Sequence, residues 1–219
     1  MKLYPINLNV AGKSCVVVGG GEVALRKILG LLEAGALVKV IAPKICAGVD
    51  ELFQRGKISL TREKFSPDML DDEFILIAAT DNPEVNRQAS EAALSKKILV
   101  NTAEGSSGNF VVPSRIRRGD LLLTVSTDMN SPAFSRFVRQ MLELELGENF
   151  CAGLKLIARY REKVKELLPN PDARKNFWRE VLTADTWKLL KLGEFNRLEN
   201  QINRLLLKLQ ASRFVDKVE

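Results

Sequence analysis

A glycine-rich segment near the start of the chain has the spacing of a phosphate-binding turn. Gly19, Gly21 and Ala24 match the pattern G-x-G-x-x-A directly after an apolar run. The first glycine of this pattern permits a tight turn, the second lets backbone N–H groups approach a pyrophosphate, and the small third residue lets a helix pack on a strand. The N-terminus of that helix attracts the same anion. The segment, with Gly20 between its glycines, therefore predicts a dinucleotide-binding site.

The second half of that pattern is missing. An acidic residue about 20 positions further on usually binds the adenosine ribose, but the next predicted strand ends in Ile41-Ala42-Pro43-Lys44. We expect backbone groups near Pro43 and Lys44 to hold the ribose instead, and the charge of Lys44 would also suit a phosphorylated ribose. The motif alone therefore leaves NAD and NADP as alternatives.

Polar segments follow three later predicted strands. They are Ala78–Asn86, Val100–Glu104 and Ser126–Pro132. Within them, Thr80 and Asn101 are the candidate cofactor-binding residues. The candidate substrate-binding residues are Thr127, Asp128 and Ser131. In an open parallel sheet, ligands bind at the carboxyl ends of the strands, so three polar ends at one edge predict a site.

Short β-branched runs alternate with helical patterns from residue 14 to about residue 126, which is typical of βαβ units. The predicted strands are Cys15–Val18, Leu37–Ile41, Ile58–Leu60, Phe74–Ala79, Ile98–Val100, Phe110–Val112 and Leu121–Ser126, with helices at Val23–Glu33 and Glu84–Leu94. The pattern predicts an α/β fold with a Rossmann-like, doubly wound, mostly parallel sheet. No long helix separates the last two strands, so we expect them to extend the sheet as a hairpin.

Helical periodicity dominates the chain after Asn130. Ser131 and Pro132 have the residue types of a helix N-cap and first helical position. The last predicted helix carries an apolar stripe made of Leu198, Ile202, Leu205, Leu206 and Leu209. Such a stripe packs on its own domain or on a partner subunit. Because a small helical segment has little core of its own, the sequence favours dimerisation through this C-terminal region.

The charge of the chain is unevenly distributed. The 219 residues include 33 Lys and Arg and 27 Asp and Glu, for a net charge of +6. Residues 1–113 hold 13 basic and 13 acidic side chains, so the whole excess lies in residues 114–219. This excess indicates an anionic partner or a solubilising surface. Without a recognisable nucleic-acid-binding motif, nucleic acid is not the expected partner.

Several classes of protein are excluded by composition. The chain has no histidine, and its three cysteines form no C-x-x-C pair, so no metal site or disulfide framework is predicted. No stretch has the roughly 20 apolar residues that span a bilayer, and the N-terminus lacks an apolar run after its lysine. We therefore expect a soluble cytoplasmic protein that does not insert in a membrane.

The order of these motifs resembles one known family. Five segments of the chain are similar to those of precorrin-2 dehydrogenase, the sirohaem-synthase N-terminal family. They are the glycine turn with Glu22, Val23 and Ala24, the Ala78–Asp81 strand end, the Asn101 segment, the Phe110–Ser114 run and the Ser126–Pro132 turn. The segment from Ala158 to Trp178 is similar to that family's helical dimerisation region. The resemblance therefore covers nearly the whole chain.

The resemblance implies NAD-dependent oxidation of precorrin-2 to sirohydrochlorin by a homodimer, on the path to sirohaem or cobalamin. Some members of the family also insert ferrous iron, and the absence of histidine makes that second activity less expected here without excluding it. We accordingly divide the chain into an NAD-binding Rossmann-like domain at 1–113, a sheet extension for dimerisation and the active site at 114–148, and a helical C-terminal domain at 149–219.

Carried over by resemblance, the family's dinucleotide contacts fall on Glu22, Val23, Pro43 and Lys44. The family's proposed catalytic aspartate aligns with Glu104, whose carboxylate is longer by one methylene, and a family serine aligns with Thr127. Precorrin-2 bears eight carboxylates, and Arg115, Arg117 and Arg118, with Arg136 and Arg139 beyond them, are expected to attract and clamp these groups.

A different class of function fits the same motifs. A non-catalytic dinucleotide-binding regulator would keep the nucleotide site and use its C-terminal helices to bind a partner. Such a protein would need no site for a large anionic substrate. Binding of an octacarboxylate tetrapyrrole therefore discriminates between the two hypotheses.

Overall fold

The computed structural model describes residues 2–103 and 107–215, with side chains described as far as residue 210. The chain divides into two compact units, Met1–Val112 and Pro113–Glu219. The first unit has apolar cores on two faces of a sheet, and the second has one core between helices.

The first unit is built on a five-stranded parallel sheet. The strands are β1 Ser14–Val18, β2 Leu37–Ile41, β3 Ser59–Thr61, β4 Ile75–Ala78 and β5 Leu99–Thr102, in the order β3-β2-β1-β4-β5. The helices are α1 Glu22–Glu33, α2 Ala47–Gln54 and α3 Pro83–Ser95, with a short 3₁₀ turn at Pro67–Met69. The order reverses between β1 and β4, which is the point where doubly wound sheets bind ligands. The predicted doubly wound fold is therefore confirmed.

Helices cover both faces of this sheet. Ile28 of α1 and Val49 of α2 join the core on one face, whereas Ala89 and Ala93 of α3 join the core on the other. Strands covered on both faces read as continuous apolar runs, which is why the strand predictions were close to the observed bounds.

Helix α2 was not predicted from the sequence. Its eight residues are too few for a clear period, and its second residue is Gly48, a poor helix former. A Cβ at Gly48 would lie 2.4 Å from the side chain of Leu25 on α1. Glycine therefore stands at this position because the two helices approach closely.

The second unit contains a hairpin and five helices. Its elements are β6 Ser114–Arg118, β7 Leu121–Val125, α4 Pro132–Glu145, α5 Asn149–Leu167, α6 Pro171–Val181, α7 Ala184–Leu192 and α8 Phe195–Val215. The hydroxyl of Ser131 accepts a hydrogen bond from the Phe134 N–H, so the predicted start of α4 is confirmed. The helical C-terminal region is likewise as predicted. No helix in the described ranges has the length and apolar character needed to span a membrane.

Two predictions about the hairpin are wrong. Phe110–Val112 is not a strand, and β6 and β7 form a two-stranded antiparallel sheet of their own instead of extending the parallel sheet. The N–H groups of Asn109 and Phe110 bond the carbonyl of Val100, so this segment lies along β5, at the edge of the sheet. The strand that follows has one buried apolar residue, Ile116, between arginines, which suits a ribbon covered on one face only.

Of the two alternatives for the last apolar stripe, the structure shows packing on its own domain. Leu198 and Ile202 are 0% exposed and Leu206 is 4% exposed within their own unit. Leu205 and Leu209 pack against the same core. The stripe therefore packs on its own domain, where α8 closes the helical core.

The turn after β1 places backbone against backbone. Gly19 has φ +123°, and its N–H donates to the carbonyl of Ile41 at 3.0 Å. A Cβ at this position would lie 2.3 Å from the carbonyl oxygen of Ala79, which follows β4. Both the backbone conformation and the lack of space therefore require glycine.

We expect Gly19→Ala to lower the free energy of unfolding by roughly 3 kcal/mol, because the methyl group meets a carbonyl that cannot rotate away. The matched control is Gly21→Ala, since a Cβ at Gly21 has no heavy atom within 4 Å. Urea unfolding followed by circular dichroism measures both variants. An equal loss in the two would contradict the close-contact explanation.

Candidate functional site

The glycine turn and the loop after β2 are joined by direct contacts. A Cβ at Gly20 would lie 2.4 Å from the carbonyl oxygen of Lys44, and the N–H of Cys46 donates to the carbonyl of Gly20 at 2.7 Å. Pro43 and Lys44 are exposed beside this contact. The structure thus brings together the two segments in which the sequence places the pyrophosphate and the ribose.

The N-terminus of α1 has free donors and free space. Gly21 is the N-cap residue, no side chain caps the helix, and a Cβ at Gly21 would meet nothing within 4 Å. The first N–H groups of a helix have no partner within it, and they carry the positive end of its dipole. Glu22 and Val23 in this first turn are exposed. These residues fit the pyrophosphate of a dinucleotide.

The turn after β4 is ordered by its own hydrogen bonds. The Thr80 N–H donates to Oδ1 of the buried Asn86 at 3.0 Å, and the Thr80 hydroxyl lies 2.8 Å from the same oxygen. The Asn82 side chain caps α3 by accepting the N–H of Glu84 at 3.0 Å. Thr80 is held immediately after Ala79, against which Gly19 packs.

Asn101 in β5 has both ends of its amide occupied. Its Oδ1 accepts a hydrogen bond from Nζ of Lys27 at 3.1 Å, and its Nδ2 donates to the carbonyl of Phe110 at 3.1 Å. Asn101 is 3% exposed. Its predicted contact with the cofactor therefore competes with these internal bonds, and Lys27 is a polar residue at this position that no sequence motif indicated.

The segment after β5 begins with an anchored residue. The Ala103 N–H donates to the carbonyl of Ala78 at 2.9 Å, and the Thr102 hydroxyl is buried without a hydrogen-bond partner among the described residues. Glu104, the predicted acid/base, lies outside the described residues. Its assignment stays a prediction.

The hairpin of the second unit presents the predicted arginines. Arg115 and Arg117 are exposed at alternate positions of β6, on either side of the buried Ile116. Arg118 is half-buried, and its Nε has no partner among the residues that the structure describes. Residues two apart on a strand lie on one face, so Arg115 and Arg117 form a paired cationic surface.

The turn before α4 contains strained backbone. Asp128 has φ +49° and Met129 has φ +68°, and the Asn130 N–H closes the turn on the Thr127 carbonyl at 2.9 Å. These left-handed conformations cost of order 1 kcal/mol or more for residues other than glycine, and such strain is frequent at functional sites. The Thr127 hydroxyl accepts the N–H of Ser131 at 3.1 Å. The predicted Thr127, Asp128 and Ser131 thus lie in one rigid turn.

Within residues 2–103 and 107–215, no cluster of three or more Asp, Glu, Cys or His side chains that could hold a metal ion occurs.

Two family models match the chain. Residues 6–114 match a model described as putative NAD(P)-binding, and residues 154–206 match the sirohaem synthase dimerisation region. The first match covers the five-stranded sheet together with the glycine turn, and the second covers most of helices α5 to α8.

Individual proteins extend this likeness. The siroheme synthase of Photorhabdus laumondii subsp. laumondii is 33% identical over 207 residues, which is 94% of this chain and 44% of that protein. The siroheme synthase of Nitrosospira multiformis is 36% identical over 199 residues, which is 89% of this chain and 42% of that protein. The chain therefore spans less than half the length of these curated relatives.

A solved structure described as "SirC, precorrin-2 dehydrogenase" superposes with a TM-score of 0.75 at 26% identity, covering 95% of this chain and 100% of that chain. The two family models, the siroheme synthases and this structural likeness agree with one another, and the chain belongs to the family of precorrin-2 dehydrogenases and the corresponding part of sirohaem synthases.

Proposed function

We propose that the protein oxidises precorrin-2 to sirohydrochlorin with NAD as the hydride acceptor. The observation that carries this proposal is the uncapped start of α1, with open space at Gly21, in a unit that matches an NAD(P)-binding family model. A likeness over nearly the whole chain to a precorrin-2 dehydrogenase supports the choice of reaction.

In this reaction the protein binds the substrate and the cofactor, orients them, and removes a proton from the substrate. When bound, NAD supplies the chemistry by accepting a hydride, so oxidation of one precorrin-2 yields sirohydrochlorin, NADH and one proton. The first N–H groups of α1 would hold the pyrophosphate, and backbone groups at Pro43 and Lys44 would hold the adenosine ribose. Glu104, after β5, is our candidate to take the proton.

The second unit supplies cations for an acidic substrate. Arg115 and Arg117 are exposed on one face of β6, where a guanidinium group can bind a carboxylate through two parallel hydrogen bonds. The whole basic excess of the chain lies in residues 114–219, and this field would attract an octacarboxylate. Arg139 pairs with Glu143 on its own helix.

We also infer a homodimer, to which α4 contributes an apolar face. Phe134, Phe137, Met141 and Leu144 of α4 are 57%, 53%, 43% and 79% exposed. Their spacing of three or four residues places them on one side of the helix. A continuous apolar surface of this kind is typical of an interface. A second copy of the chain is the expected occupant, because the helices that follow α4 match a dimerisation region at residues 154–206.

The three cysteines are compatible with a reducing compartment. Cys15, Cys46 and Cys151 are all free thiols, and burial raises the pKa of Cys15 to about 11, which makes it unreactive. We therefore place the protein in the cytoplasm.

The activity is tested by mixing the protein with NAD and precorrin-2 and measuring NADH and sirohydrochlorin together. We expect equal amounts of the two products from the native protein and none from Gly21→Asp, because a carboxylate would occupy the space of the pyrophosphate. The matched control is Gly147→Asp, since Gly147 also faces open space but lies before α5 in the second unit.

Two outcomes would contradict the proposal. A native protein that binds NAD but neither binds sirohydrochlorin nor forms NADH would favour the regulatory function. A folded Gly21→Asp variant with native affinity for NAD would show that the glycine turn is not the site.

The dimer is tested by Phe137→Glu, which we expect to convert a native dimer into a monomer in light scattering. Phe137 is half-exposed, so the charge should disrupt an interface without disturbing the core. Leu207→Glu on α8 is the control, because Leu207 is 63% exposed on a different helix. A monomeric native protein would refute the dimer, and dissociation by Leu207→Glu alone would move the interface to α8.

A further inference from the structure

Lys27 lies in the second turn of α1 and extends away from that helix. Its ammonium group donates to Oδ1 of Asn101 in β5, 74 positions later in the chain, at 3.1 Å. The side chain is half-buried. A cation in this place needs an explanation, because burial of an ammonium group is unfavourable unless other groups compensate its charge.

Few groups compensate the charge of Lys27 within the described part of the chain. An ammonium group has three donors, and the amide of Asn101 accepts the single hydrogen bond that Lys27 makes to described residues. Lys39 lies in β2, in the same sheet as Asn101, and its charge is compensated. Its Nζ is 3.8 Å from a carboxylate oxygen of Glu73 and donates to the carbonyl of Met69 at 2.9 Å. Burial, and then repulsion by Arg26, lower the pKa of Lys27, as expected for a cation with no counter-ion among the described residues.

The amine is held at the ligand-binding edge of the sheet. Asn101 is the last residue but one of β5 and is in register with Ile77, which pairs with Val17 two residues before Gly19. The orientation of the Asn101 amide follows from its partners, because an ammonium group can only donate and the carbonyl of Phe110 can only accept. Asn101 thereby fixes the position of the charge.

The strand around Asn101 is itself anchored. The Val100 N–H donates to Oδ1 of Asn109 at 2.8 Å, and the Asn109 N–H returns to the carbonyl of Val100 at 3.0 Å. A Cβ at Gly108 would lie 2.5 Å from that carbonyl, so the returning chain packs directly on β5. Lys27 therefore bonds to a rigid acceptor, and its remaining donors have no hydrogen-bond partner among the described residues.

We propose that Lys27 binds a carboxylate of the tetrapyrrole substrate, with Asn101 as its positioning residue. This inference rests on the proposed function and assigns a substrate contact to the nucleotide-binding unit. A dinucleotide phosphate would offer the same anionic chemistry. However, Lys27 lies five residues beyond Glu22, about 8 Å along the helix from the donors that hold the pyrophosphate.

The test uses Lys27→Gln, which removes the charge but keeps a donor for Asn101. The matched control is Arg26→Gln, which removes the same charge from the exposed neighbouring residue. Sirohydrochlorin is titrated anaerobically into each variant, and NAD is titrated separately. We expect about a tenfold loss of tetrapyrrole affinity for Lys27→Gln, or about 1.4 kcal/mol. Less than a twofold loss is expected for Arg26→Gln, with unchanged NAD affinity in both and recovery in Lys27→Arg.

Three results would overturn this assignment. Native tetrapyrrole affinity in Lys27→Gln would remove the contact, and an equal loss in Arg26→Gln would show long-range attraction only. A loss of NAD affinity with unchanged tetrapyrrole affinity would assign Lys27 to a dinucleotide phosphate. Failure of the proposed function is distinguishable from these results, because it appears as absent NADH formation and absent tetrapyrrole binding in the native protein.

Discussion

In the first unit, the backbone of the glycine turn touches the chain that follows two other strands, with no side chain between them. Gly19 packs on the carbonyl of Ala79 after β4, and Gly20 packs on the carbonyl of Lys44 after β2. These contacts hold the ends of three strands together at the edge where the dinucleotide is expected. The same backbone contacts therefore stabilise the fold and shape the candidate site. A substitution that breaks them would change both.

Local sequence was sufficient to predict the parts of the fold whose cause is local. The central strands were predicted because both faces are buried, which leaves an uninterrupted apolar run such as Cys15–Val18. The start of α4 was predicted because a hydroxyl at the N-cap and a proline at the first position have a direct physical role there. The glycine turn was predicted for the same reason, because glycines at this spacing permit a tight turn and a close approach of the backbone.

The features that sequence did not predict depend on the rest of the molecule. The stripe of α8 has the same pattern whether it faces its own core or a partner, and only the packing of Leu198 and Ile202 decides between these alternatives. The polar pair of Lys27 and Asn101 joins residues 74 positions apart. Asn101 was predicted to contact the cofactor because it lies at the end of its strand. Its amide instead bonds to Lys27 and to the carbonyl of Phe110.

The backbone conformation of the turn before α4 determines which residues selection for stability would favour there. Asp128 and Met129 both occupy backbone conformations that glycine adopts at almost no cost. A laboratory evolution experiment that selected only for heat resistance would therefore be expected to accumulate glycine at these two positions. Lineages that keep bulkier residues there would reveal a selective pressure other than thermal stability, acting on the side chains that this turn presents.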